Sequence, residues 1–275
     1  MNLLQAVVLG IVEGLTEFLP VSSTGHLTIT EKLLDLRVDD PAVTAYTAVI
    51  QVGAIVAVLL YFARDLTRIV LGWGRGLLSA PAREAEEYRF GWLILLGSLP
   101  IGIVGLALRH LIEGSLRSLW VVAGALIAWS AVMWWAERHP SQHKGEADLR
   151  AADVLTVGLV QCIALVPGVS RSGATISAGL LRGIDRVTAT KLSFYLGIPA
   201  LLGAGALELK KALGGGIGVL PTVVGTVVSF VVAYASVAWL IRFVSTNRIT
   251  AFVPYRIVLG LAIMVTLAAG WLTPT

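Results

Sequence analysis

Charge is what this sequence has least of. Only 14% of its 275 residues are Asp, Glu, Lys or Arg, against 56% hydrophobic, where a soluble domain carries about a quarter charged. That balance excludes an ordinary soluble fold, and a mean hydropathy of +0.83 marks a membrane protein. A single cysteine, Cys162, excludes an intramolecular disulfide and, lying in an apolar stretch, reads as core packing. The marks of a cleavable leader are lacking as well: MNLLQAVVLGIVEGLTEF has no basic start and no small-residue cleavage site, and two glutamates interrupt it, so the segment is expected to stay in the mature protein. No basic stripe gathers among the 21 Lys and Arg, which are scattered through short loops. The net charge of +4 therefore reads as membrane topology and no nucleic acid is expected as a partner.

What the sequence has is long apolar runs. Six, at about 42–63, 91–108, 118–136, 190–209, 218–242 and 254–273, are long enough for a hydrocarbon core of about 30 Å, which takes roughly 20 helical residues. Two more, about 1–34 and 153–182, are broken near the middle by Pro, Ser and Gly, and each half is too short to cross. Irregular backbone at membrane depth survives only where protein or a wet cavity satisfies it, so each broken run reads as a re-entrant helix-loop-helix. The expected fold is an all-α polytopic membrane protein with six transmembrane helices and two re-entrant segments.

Basic residues orient this layout. Fourteen fall in the loops assigned to one side: Arg64, Arg68, Arg75, Arg83 and Arg89; Arg138, Lys144 and Arg150; Arg182, Arg186 and Lys191; Arg242, Arg248 and Arg256. Six fall on the other: Lys32, Arg37, Arg109, Arg117, Lys210 and Lys211. The richer side is cytoplasmic by the positive-inside rule, which puts both termini outside. The run from Arg83 to Arg89 reads as a solvated cytoplasmic loop, and Trp120, Trp134, Trp135 and Trp271 as interfacial anchors near span ends.

A shift of 148 residues superposes the broken runs without a gap, matching Gly10 with Gly158, Val12 with Val160, Val21 with Val169, Ser22 with Ser170 and Gly25 with Gly173, with Glu13 opposite Gln161. Each run precedes three spans, so the copies face opposite ways across the membrane, as inverted repeats do. One integral membrane domain is expected, with halves of about 1–148 and 149–275, and the two breaks should meet near the midplane.

The breaks hold the reactive side chains. Glu13 and Glu17 are four apart and share a helix face; two carboxylates at membrane depth need a cation, a proton or a basic partner. In PVSSTGH, Pro20 ends the first half-helix, and Ser22, Ser23 or Thr24 can cap the second. A capped helix start offers free N–H groups to phosphate. His26 could take a proton from Ser23 or attack phosphorus itself. The second break, PGVSRSGAT, repeats the plan with Arg171 in place of Ser23. Its planar fork suits phosphate oxygens, although a structural ion pair with Glu13 or Glu17 would use the same geometry. Ser170, Ser172 and Thr175 add donors, while Gly25, Gly168 and Gly173 let backbone approach a ligand.

EGLTEFLPVSSTGH and PGVSRSGAT, at this separation in a chain of this length, resemble the undecaprenyl-diphosphate phosphatase family of the bacitracin-resistance type, over essentially the whole chain. The resemblance implies hydrolysis of undecaprenyl diphosphate to the monophosphate, which recycles the lipid carrier of peptidoglycan synthesis. It implies a divalent cation, Mg²⁺ or Ca²⁺, on Glu13 and Glu17, and a site open to the periplasmic face of the bacterial inner membrane. Catalysis falls on Glu13, Glu17, Ser23, His26 and Arg171, and substrate binding on Ser22, Thr24, Gly25, Gly168, Ser170, Ser172, Gly173 and Thr175. Either Ser23, deprotonated by His26 or Glu17, is the nucleophile, or His26 is. Membrane lipid is the surrounding partner, and a homodimer is an expectation of the same reading. Inverted repeats with midplane half-helices also mark transporters, so a lipid-phosphate flippase is the alternative.

Overall fold

The computed structural model describes residues 1–38, 40–108, 116, 118–138, 142–212 and 218–274, with backbone alone at 204 and 206–212. The described chain is mainly helical: α1 (Leu3–Thr16), α2 (Ser23–Leu33), α3 (Pro41–Tyr61), α4 (Ala63–Leu78), α5 (Glu86–Ala107), α6 (Leu119–Glu137), α7 (Ala151–Gln161), α8 (Arg171–Leu181), α9 (Arg186–Ala212), α10 (Val219–Thr246) and α11 (Val253–Ala268). Polar caps start several of them. Asn2 and Gln5 close a capping box on α1, Asp40 accepts from the Ala42 amide ahead of α3, and Ser118 accepts from the Trp120 amide ahead of α6.

Among the described residues five helices are long and apolar enough to cross a membrane: α3, α5, α6, α10, and α11 with the turn before it. They meet five of the six expected spans. The sixth, 190–209, falls on α9, whose 27 residues extend about 40 Å at 1.5 Å per residue. Of the residues used for orientation, Arg109 and Arg117 lie outside the described residues.

Side-chain contacts sort the chain into two ends. At one, Gln5 donates to Leu34 O at 3.0 Å, Lys32 to Thr273 O at 3.1 Å, and the Leu119 amide to Pro274 O at 2.8 Å. At the other, Arg89 holds Leu149 O and Ala147 O, Lys144 and Arg182 converge on Asp153, and Glu137 binds Arg186 and the Ile249 amide. The start of α1 and the end of α2 thus share the first end, whereas the start of α7 and the end of α8 share the second. Both broken runs re-enter, from opposite ends, as the Pro, Ser and Gly breaks require.

Each broken run is held by a helix from elsewhere in the chain. α1 packs along α10, and α7 along α5. In each crossing glycine faces glycine: a Cβ on Gly10 would stand 2.6 Å from Gly225 O, and one on Gly158 would overlap Gly97 O. Only hydrogen side chains permit this backbone approach, the device by which helices associate where no hydrophobic force acts between them.

Two expectations fail here. The run Arg83 to Arg89 is not one solvated loop, because α5 begins at Glu86 and Arg89 is anchored from its first turns. Just before it, the stretch carrying Arg64, Arg68 and Arg75 folds as α4 along α5. Arg256 is no loop residue either. Pro254 sits in the first turn of α11, which carries Arg256 into the protein with 0% exposure.

Candidate active site

Each half breaks its helix in the same way. Ser22 and Ser170 have φ of 76° and 74°, a left-handed region that costs a non-glycine residue about 1–3 kcal/mol. The reversal lets each serine cap the following helix: Ser22 Oγ accepts from the Gly25 amide at 3.4 Å and Ser170 Oγ from the Gly173 amide at 3.2 Å. The serines also staple the two breaks together. Ser22 Oγ accepts from the Gly168 amide at 3.1 Å, and Ser170 Oγ donates to Leu19 O at 3.4 Å. The N-termini of α2 and α8 consequently start beside each other, with first-turn amides that their own helices leave without acceptors.

A cavity of about 470 Å³ opens at this junction. Its polar end is formed by Glu17, Ser22, Ser23, Thr24, Ser170 and Arg171, and its walls are apolar, from α5, α9 and Leu165. One end would suit a charged headgroup and the rest a hydrocarbon chain.

Within the polar end the partners are specific. Ser23 Oγ donates to Glu17 Oε2 at 2.6 Å, and Arg171 Nη2 donates to Glu17 Oε1 at 3.3 Å. Arg171 is thereby ion-paired as well as available: its Nε and Nη1 are buried with no partner among the described residues. A buried donor left unpaired costs about 1–3 kcal/mol, a cost that an anionic ligand would remove. Arg171 fits because position 197 on α9 is glycine; a Cβ there would overlap Nη1 and stand 2.5 Å from Cζ.

Glu13 lies one turn before Glu17, 1% exposed, with Oε1 unpartnered. That orphaned oxygen and the Glu17 carboxylate suit a hard cation which keeps waters and takes its remaining ligands from a phosphate. No group of three or more His, Cys, Asp or Glu gathers among the described residues, so these side chains alone make no closed metal cage.

His26 is engaged elsewhere. Its Nδ1 is 2.7 Å from Ser22 O, which as an acceptor requires Nδ1–H, and its Nε2 accepts from Tyr255 Oη at 2.6 Å. The rings of His26 and Tyr255 stack with centroids 5.7 Å apart. The proton on Ser23 therefore points to Glu17 rather than to His26.

Of the residues read from sequence, Glu17, Ser22, Ser23, Thr24, Gly168, Ser170 and Arg171 line the cavity. Glu13 and His26 stand outside its lining. So do Gly25, packed against Val122, Ser172, bonded to Ser170, and Gly173. Thr175 is fully buried and bonds Arg171 O and Ser193 Oγ at 2.8 and 2.6 Å. Sequence reasoning missed Gly197, Tyr255 and Arg256. The last had a signal: an arginine just after a proline at the head of an apolar run belongs to the helix that the proline starts.

Comparison with known proteins bears on what this cavity takes. The family described as Bacitracin resistance protein BacA matches residues 6–262. Similar over nearly all of both chains are Undecaprenyl-diphosphatase 3 of Frankia casuarinae, 54% identical over 100% of each, and Undecaprenyl-diphosphatase 1 of Streptomyces coelicolor, 57% identical over 97% of this chain and 96% of that one. Undecaprenyl-diphosphatase of Corynebacterium diphtheriae is 45% identical over 98% of this chain and 95% of its own.

Proposed function

The chain belongs to the Bacitracin resistance protein BacA family, and from that membership we propose that it hydrolyses undecaprenyl diphosphate at the junction of its two polar breaks. It is a multi-pass membrane hydrolase that releases undecaprenyl phosphate and inorganic phosphate, returning the lipid carrier to peptidoglycan synthesis and giving bacitracin resistance. The relatives are named as phosphatases, which favours hydrolysis over a flippase.

The observation that carries the site assignment is the chain Ser23–Glu17–Arg171 at the polar end of the cavity. Arg171 binds the diphosphate through the donors it has free, and the starts of α2 and α8 add amides and dipole charge. Ser23 Oγ attacks the terminal phosphorus while its proton passes to Glu17. The bond from that phosphorus to the bridging oxygen breaks, and undecaprenyl phosphate leaves with the proton from Glu17, which is thereby a base again. Water, deprotonated by Glu17, then splits the phosphoserine to free serine and inorganic phosphate. Phosphoryl transfer needs mostly positioning and charge neutralisation, which these groups supply. A divalent cation, Mg²⁺ or Ca²⁺, would be held by Glu13 and Glu17 and would neutralise phosphate charge. His26, held by Tyr255, keeps the Ser22 carbonyl in place ahead of the nucleophile.

The substrate-binding reading of Ser22, Thr24, Gly168 and Ser170 rests on their place at the cavity; that of Gly25, Ser172, Gly173 and Thr175 becomes support of the two helix starts. The two halves, 1–148 and 149–275, are read as an inverted repeat, supported by the matched serine turns and the exchanged glycine crossings. The surplus of basic residues at the end holding Arg89, Asp153 and Arg186 supports an inner-membrane orientation with that end cytoplasmic, the termini outside and the site reached from the periplasm. A homodimer belongs to the same reading, and light scattering on the detergent-solubilised protein tests it.

Phosphate release from undecaprenyl diphosphate by purified protein in detergent, lost in Arg171→Ala, is the expected result. Absence of release from the wild type with Mg²⁺ or Ca²⁺ present refutes the proposal.

A further inference from the structure

Arg256 is fully buried, and its guanidinium is spent on backbone. Nη1 donates to Pro20 O at 2.9 Å; Nη2 donates to Gly168 O at 2.9 Å and Val169 O at 3.1 Å, with Leu126 O at 3.4 Å; Nε reaches Ser130 Oγ at 3.3 Å. No carboxylate among the described residues forms an ion pair with it. A buried cation without a counterion is costly, so a side chain used in this way must hold something that simpler packing would not hold. What it holds is one carbonyl of the first break, that of Pro20 two residues ahead of Ser22, and two of the second, those of Gly168 and Val169 just ahead of Ser170.

We propose that Arg256 is a positioning residue for the hydrolysis: by drawing the Gly168 and Val169 carbonyls to one side, it turns the Ser170 amide to the other, where it joins the first-turn amides of α8 in receiving the terminal phosphate. The inference rests on the function proposed above. No peptide bond is cis among the described residues, and in a trans peptide C=O and N–H point opposite ways. Pinning Val169 O on Arg256 therefore fixes the direction of the Ser170 N–H. The other two amides of the pinned peptides are already spent, Val21 N–H on Leu19 O and Val169 N–H on Val166 O. Ser170 N–H takes no partner among the described residues, and Ser170 lines the cavity. Successive amides turned one way make an anion-binding nest. The bond from Nη1 to Pro20 O ties the same guanidinium to the break that carries Ser23, so one side chain sets nucleophile and nest relative to each other. Its positive charge, left without an anion, also stands behind the amides that meet the phosphate.

The experiment uses the full chain in detergent with a short prenyl diphosphate, farnesyl diphosphate, as the probe, and compares wild type with Arg256→Met, Arg256→Lys and Arg256→Ala. Loss of aligned donors at a developing anion lowers turnover by about 100-fold or more; Arg256→Met should do so with KM changed by less than about threefold, since apolar wall contacts survive. Arg256→Lys, a point charge that cannot span three carbonyls, should fall between. Guanidinium at tens of millimolar should restore about tenfold activity to Arg256→Ala, where sodium chloride of equal ionic strength does not, because only a planar fork can refill the site. Turnover of Arg256→Met within about threefold of wild type overturns the proposal. So does an Arg256→Ala protein that melts like wild type yet gains nothing from guanidinium, or a set in which all three variants lose the folded species, since the residue is then a folding element alone. A wild type that releases no phosphate refutes the underlying function instead, whatever the variants do.

Discussion

Gly197→Ala isolates Arg171 from the rest of the fold. The new methyl would overlap Arg171 Nη1 and stand 2.5 Å from Cζ and 3.2 Å from Nη2. The three atoms nearest to it all belong to the far end of one side chain, so the helix can accept alanine once the guanidinium moves away. To regain ordinary contact Nη1 must withdraw by about 2 Å, enough to break its alignment with any phosphate oxygen and to lengthen the present 3.3 Å bond to Glu17. Charge-assisted hydrogen bonds are worth about 1.5–3 kcal/mol each; losing two costs about 3–6 kcal/mol, or roughly 10²- to 10⁴-fold in kcat/KM at 1.36 kcal/mol per decade. Phosphate release measures this, and the melting temperature, followed through the eight tryptophans, should move little. The coupling must also appear in a double-mutant cycle: in an Arg171→Ala background, Gly197→Ala should cost almost nothing further, because the displaced group is gone. Wild-type kcat/KM in Gly197→Ala, or full additivity in the cycle, refutes the assignment of Arg171 to phosphate.

Ser23→Ala should abolish turnover while leaving undecaprenyl diphosphate bound, and acid-quenched wild type should yield a phosphopeptide containing Ser23; a phosphorylated His26 would instead transfer the nucleophile role to it. Glu13→Gln should keep the fold but blunt the response to Mg²⁺ or Ca²⁺, so chelator should depress wild type much more than the variant; equal depression removes Glu13 from the cation site. Gly158→Ala drives a methyl into the Gly97 carbonyl and should lower detergent stability by about 1–3 kcal/mol, read as a fall in melting temperature. An unchanged melt would mean that α7 and α5 do not cross there.

Hydropathy made the spans and breaks legible because a bilayer demands long apolar helices and tolerates irregular backbone only inside protein. Ser23, Glu17 and Arg171 were legible for a related reason: polar groups in apolar segments are costly unless they work. The partners among them were not. From spacing alone His26, three residues from Ser23, is nearer to it than Glu17, six residues away, so either could take its proton; only the turn at Ser22 sends the hydroxyl to Glu17 and His26 toward Tyr255, 229 residues later. Arg256 was misplaced because a charge at the edge of an apolar run can belong to loop or helix, and counting charges by side assigns it to the loop. Gly197 gave no signal, since the space it leaves is for a side chain from another helix. α4 was lost among its arginines, its exposed Val70, Leu71 and Leu78 being too few to suggest a span.

Set over one another at a shift of 148, the two breaks agree and differ in a pattern. They agree at Gly10 and Gly158, Ser22 and Ser170, Gly25 and Gly173, and these positions place backbone: the crossing glycines let helices approach, the serines reverse and staple the chain, and the later glycines donate their amides to the serine caps. They differ at Glu13 and Gln161, Glu17 and Leu165, Ser23 and Arg171, His26 and Ala174. Two helix starts meeting head to head both favour an anion, so a symmetric pair would bind phosphate without attacking it. Hydrolysis needs a nucleophile and its base on one side of the phosphorus and a fixed cation on the other. On the proposed function, Ser23 and Arg171, which the shift of 148 puts opposite each other, would provide both from equivalent positions, and Glu17, without an acidic counterpart at Leu165, joins them in one hydrogen-bonded row.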